Sequence, residues 1–125
     1  MRSRVDVSPE PVEEGPAQVV RVDPDDGATC VFRDAPVVAR LSRPLDAESL
    51  GGPSFRVEDQ EGPVPGRFLV SPDGHVVIWR AERPLIPGAV HFVVACGLRD
   101  RSGREVARHV SRFVPCDLSF SDLPG

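Results

Sequence analysis

Few residues in this chain are of a type that could carry chemistry. There are three histidines (His75, His91 and His109), three cysteines (Cys30, Cys96 and Cys116), and a knot of carboxylates in Asp23-Pro24-Asp25-Asp26-Gly27. Hydrolysis needs a nucleophile with a base in reach, usually on a sharp turn, and no Gly-x-Ser-x-Gly occurs. The serines fall in predicted turns or near the termini, so a hydrolase could only be assembled from residues far apart in sequence, and no catalytic residue is expected. Zinc sites announce themselves through short-range ligand pairs, and the chain contains neither His-x-His nor Cys-x-x-Cys. No metal site and no cofactor are expected. The acidic knot could hold a hard cation through oxygen, but an EF-hand-like loop asks for a bidentate Glu at its twelfth position. Asp34 stands there, and Thr29 at the seventh position offers only its carbonyl, so a plain turn is the better reading. Asp25, Asp26 and Asp100 are kept as calcium candidates at the domain poles.

The elements that would position these groups are short and extended. One hundred and twenty-five residues suffice for one domain with one core, and 14 prolines and 11 glycines punctuate it with turns. Residues 1–16 are rich in proline and acid and too poor in apolar side chains to offset their ordering entropy, which predicts a tail or linker. Seven strands are predicted after it: 17–22, 36–42, 54–58, 67–70 (an edge), 75–80, 89–96 and 106–114, with a short helical turn at most over 46–50. Residues 117–125 are predicted as a second tail. The fold class is all-β, a seven-strand Greek-key sandwich over 17–116. Its core is expected from Val37, Ala39, Leu41, Phe55, Val57, Val77, Trp79, Val93, Ala95 and Phe113.

Several of these stretches carry a family likeness. Leu85, Pro87-Gly88, a strand alternating about His91, then Leu98-x-Asp100-x-x-Gly103 form one set; Ser42-Arg43-Pro44-Leu45-Asp46 and the Pro-x-Asp-Gly turn after the first strand form two more. In this order they resemble the bacterial immunoglobulin-like domain of S-layer and other surface proteins (the SbsA type). The likeness covers about residues 17–116 and departs from the family at His91, where a Tyr is usual. His91 is expected to be a half-buried packing residue. The resemblance implies an immunoglobulin-like sandwich without catalysis, and a place at the cell surface or envelope. The start MRSRVDVSPEPVEEGP has no apolar stretch after its arginines, and no segment reaches the roughly 18 to 20 apolar residues of a bilayer span. No membrane insertion is expected, and the location would be cytoplasmic if Met1 is the native start.

The topology bears on the cysteines. In such a sandwich the first and last strands run parallel, so Cys30 and Cys116 fall at one pole and Cys96 at the other. A Cys30–Cys116 disulfide is geometrically allowed and would close a loop of about 87 residues. The odd count and the missing leader weigh instead toward a reducing compartment with three thiols.

What remains is surface. The net charge is -4 and the 15 arginines are scattered among 19 acids, so nucleic acid is not an expected partner. Strands 75–80 and 89–96 are apolar on both faces, which makes Val76, Ile78, Val90, Phe92 and Val94 a candidate interaction face for a protein partner, a neighbouring domain or a second protomer. The alternative is that Leu118, Phe120 and Leu123 of the tail cover it. Function is read as a non-catalytic module that spaces or docks within a larger surface assembly. The alternative is an accessory carbohydrate-binding domain using Arg99 or Arg101 at a loop pole, against which stands the lack of loop aromatics.

Overall fold

The computed structural model describes residues 17–120, so the predicted N-terminal tail and Leu123 lie outside it. Nine strand segments run through the described residues: β1 (Val19–Asp23), β2 (Ala28–Phe32), β3 (Val37–Leu41), β4 (Phe55–Asp59), β5 (Gly62–Pro63), β6 (Gly66–Val70), β7 (Val76–Ala81), β8 (His91–Ala95) and β9 (His109–Cys116). A 3-10 turn, Ala47–Ser49, is capped by the Asp46 carboxylate, which accepts from the Glu48 amide. No helix among the described residues is long and apolar enough to cross a membrane.

The strands form two sheets, in the orders β1-β3-β7-β6 and β2-β9-β8-β4-β5. Alternation decides what each strand contributes between them. Val37, Ala39 and Leu41 of β3 face Val77 and Trp79 of β7, while Val57, Val93, Ala95 and Phe113 come from the opposite layer, and all ten predicted core residues are buried in one cluster. Phe55 meets Phe68 edge to face across the layers, centroids 5.9 Å apart. The chain is thus an all-β sandwich of two packed layers.

Nine segments replace the predicted seven because two, β2 and β5, were not predicted. β1 pairs antiparallel with β3; the Pro24–Gly27 turn then carries the chain to the other sheet, where β2 runs parallel to β9. Gly27 makes that turn at φ +86°. The other addition, β5, is a two-residue rung on β4. The domain also extends past residue 116. The Arg33 guanidinium pairs with Asp117 at 2.6 Å, the Arg33 amide donates to the Leu118 carbonyl, and Phe120 packs edge to face on Phe32 at 4.9 Å. Residues 117–120 are therefore packed, although Leu118 and Phe120 stay largely exposed themselves and sit at the β2 end instead of covering a sheet.

Candidate interaction surfaces

Of the five residues expected on one interaction face, the structure brings together only three. Phe92 and Val94 belong to the outer side of the five-stranded sheet, with Val90 just ahead of β8, and Val76 and Ile78 to the outer side of the four-stranded one. The predicted single face is two faces on opposite sides of the sandwich. Alternation reports which side of its own strand a residue occupies; it does not report which sheet that strand joins.

On the five-stranded side, β8 is flanked by β4 and β9, with Phe92 opposite Glu58 and Arg112, and Val94 opposite Arg56 and Val110. Phe92 is 39% exposed and Val110 43%, as diagonal neighbours, whereas Val94 is buried at 6% and Val90 is half-buried. Arg56 and Glu58 pair along β4 on this same side. The open apolar surface is thus Phe92 with Val110, a residue that sequence reasoning missed although it alternates outward on the last strand.

On the four-stranded side, the register sets Val38, Ile78 and Leu69 in one row across β3, β7 and β6, with Val76 beside them. Leu69 is 64% exposed and Val38, Val76 and Ile78 are half-buried. Leu69 was also missed; its signal was the outward step of an edge strand. The arginines Arg21, Arg40, Arg67 and Arg80 occupy this side as well.

The polar candidates are engaged elsewhere. His91 is fully buried, not half-buried: its ring stacks on Phe113 at 5.4 Å, and Nδ1 bonds the Ala89 carbonyl at 2.9 Å. That contact makes Nδ1 the donor and leaves Nε2 buried without a partner. His75 bonds the Leu41 carbonyl through Nδ1. His109 Nε2 lies 3.1 Å from the Ser111 hydroxyl, the one His–Ser contact among the described residues. Burial pushes the His109 pKa below its ordinary value, against a smaller upward pull from Asp26. Ser111 is buried, at 4% exposure.

Asp100 is the most constrained carboxylate. Oδ1 accepts from the Ser102 hydroxyl at 2.7 Å and from the Ser102 and Arg104 amides at 2.9 Å. Burial alone would raise its pKa, but these hydrogen bonds and the Arg43 guanidinium outweigh that and hold it below the ordinary value. Here the two sequence motifs meet: the Asp46 amide donates to the Arg99 carbonyl, the Arg101 amide to the Pro44 carbonyl and the Leu45 amide to the Gly74 carbonyl, each at 2.9 Å. Gly74 sits at φ +79°, where a Cβ would press on the Arg101 guanidinium and the Leu45 amide. Arg99 and Arg101 also donate to the Gly103 and Pro72 carbonyls, so both are used within this loop pole.

The calcium candidates do not gather. Asp25 and Asp26 precede β3 and Asp100 packs on Leu45 beyond its other end, while Asp26 accepts from the Arg112 amide and Asp34 from the Phe120 amide. No group of three or more potential metal ligands exists among the described residues. Cys30 and Cys116 are joined in a disulfide with Cα atoms 4.3 Å apart, against the sequence weighting toward three thiols; Cys96 is free and exposed.

No protein-family profile and no curated protein sequence matches the chain. Solved structures do match. Domains 1-6 of the surface layer protein SbsC superpose with a TM-score of 0.64 at 18% identity, over 84% of this chain and 14% of that one. CopC from Methylosinus trichosporium OB3b gives 0.67 at 14% identity, over 81% of this chain and 94% of that one. An L,D-transpeptidase from Mycobacterium smegmatis gives 0.57 at 21% identity, over 82% and 41%. At these identities the likeness is one of fold. The chain has the immunoglobulin-like β-sandwich fold that S-layer protein domains also have. It spans about a seventh of the SbsC fragment.

Proposed function

We propose that the chain is a non-catalytic immunoglobulin-like module, of the S-layer (SbsA) type, that spaces or docks within a larger surface or cell-envelope assembly. The observation that carries this reading is Phe92 beside Val110, two large apolar side chains open to solvent on a sheet whose inner side is already filled. A surface of this kind is stabilised by covering it. The occupant it suits is a second sandwich, as a neighbouring domain or a protomer, because the match to a seventh of a multi-domain S-layer fragment is the match of one module among several. A rigid sandwich presents such a face at low entropic cost, since nothing in it must order on contact.

The test is oxidative footprinting of side chains at low and high protein concentration. Phe92 and Val110 should lose labelling as concentration rises, while Ile86 and Leu118 at the loop ends keep theirs. Equal labelling of Phe92 at every concentration would count against the reading.

A further inference from the structure

The four-stranded side carries a charge arrangement that folding alone does not explain. Arg21 stands directly opposite Arg40 in the β1–β3 ladder, and Arg67 directly opposite Arg80 in the β6–β7 ladder. Like charges facing each other across an antiparallel pair weaken it, and all four side chains are exposed. Among the described residues one of the four, Arg67, is in an ion pair, and Asp73 lies within electrostatic reach of Arg40. Glu82 reaches Arg67 at 3.8 Å with both side chains open to water, and Asp73 already accepts from the Ser71 hydroxyl and the His75 amide. Asp23 stands in the same row as Val38, and no carboxylate among the described residues is in an ion pair with Arg21, Arg40 or Arg80.

Between the two arginine pairs runs the apolar row of Val38, Ile78 and Leu69, with Val76 alongside. The pairs lie at diagonal corners of the face, four residues apart along the strands and two strands apart across them. Strand spacings put them roughly 16 Å from each other. One shallow depression, lined by Arg21, Asp23, Val38, Arg40 and Val76, adjoins the first pair; another, containing Arg67, Leu69, Ile78, Arg80 and Glu82, adjoins the second.

We propose that this face docks an acidic polypeptide segment, which sets carboxylates against each arginine pair and lays apolar side chains along Val38, Ile78 and Leu69. Carboxylates arriving there relieve both like-charge contacts at once, so the cost left in the free sandwich is removed on binding. An extended segment covers the distance in about five residues. The apolar row selects polypeptide over anionic glycan, because Val38, Ile78 and Leu69 are aliphatic and suit apolar side chains better than a sugar ring. The inference rests on the docking reading above and names the partner chemistry of the second face.

The probe is the fluorescein-labelled peptide Glu-Glu-Val-Thr-Val-Glu-Glu, with Lys-Lys-Val-Thr-Val-Lys-Lys as its charge-reversed control. Fluorescence anisotropy on the folded chain should show saturable binding of the acidic peptide, weakened by salt. The Arg67→Glu/Arg80→Glu and Arg21→Glu/Arg40→Glu double variants should each weaken it by at least about tenfold. Both double variants should still unfold cooperatively near the wild-type temperature, since each exchanges one exposed like-charge pair for another, so lost binding is not lost folding. No saturable binding, equal binding of the lysine peptide, undiminished binding by both double variants, or displacement of the peptide by heparin at lower concentration would each overturn the inference. Phe92→Arg should leave peptide binding unchanged. If peptide binding is absent while the footprint at Phe92 still responds to concentration, the acidic partner falls and the docking module stands.

Discussion

Trp79 and Gly66 form one packing unit. The indole rests so close on the Gly66 backbone of the next strand that a Cβ there would collide with the ring. Gly66→Ala should therefore displace the indole and destabilise the fold, and Trp79→Ala should cost about 3 to 5 kcal/mol in chemical denaturation. A loss below 1 kcal/mol for Trp79→Ala would place that side chain outside the core. His91 makes the opposite case: its Nε2 is buried with no partner, so His91→Phe, which keeps the stacking area on Phe113 and removes the orphan, should not lower stability. Titration follows the same local logic. His109, Asp73 and Asp100 all have folded pKa values below their ordinary ones. A lowered pKa means that the folded state binds fewer protons, so the stability each contributes is complete above the unfolded value and is lost as pH falls through the folded one. Stability should decline in two stages, first below about pH 6.5 through His109 and then below about 3.9 through the carboxylates. His109→Gln should remove the first stage in urea melts taken across pH.

At the scale of elements, β2 ties the start of the sandwich to its last strand. Its parallel pairing with β9 and the Cys30–Cys116 bond close most of the chain into a loop, and the Cα of Cys30 sits at φ 51° where the β2 register shifts. Opening that bond should cost roughly 4 kcal/mol in the chain-entropy model. Thiol counting on the denatured, unreduced protein should return one free thiol, from Cys96; three would remove the bond. Seven of the strands were legible because valine-rich alternation bounded by Pro-Gly and Asp-x-x-Gly turns has few other solutions. Ala28-Thr29-Cys30-Val31-Phe32 was not, because its register shift breaks the period of two on which such reading depends. The two outer faces were merged for a related reason: β7 and β8 are consecutive long strands and both apolar on both sides, and only pairing partners reveal that they belong to different layers. The Ser111–His109 contact could be suspected from their spacing of two on one strand, but whether anything could reach it is a property of the packed layers.

For the molecule as a whole, the sandwich separates two tasks. Its inner faces are closed by aliphatic and aromatic packing, and its loop pole is locked by the Asp100 and Gly74 contacts, while the two outer faces stay open to solvent. One is apolar around Phe92 and Val110; the other alternates paired arginines with an apolar row. Neither face was dictated by the core, since outward positions could be threonine or serine at little cost to folding. Their present composition is what makes a docking module a better account than a bare spacer. The most direct measurement is sedimentation equilibrium of the wild-type chain beside Phe92→Arg, with circular dichroism melts confirming that both unfold cooperatively. The account predicts concentration-dependent association of the wild type that Phe92→Arg abolishes. Identical, strictly monomeric profiles for the two proteins, or association unaffected by the substitution, would contradict it.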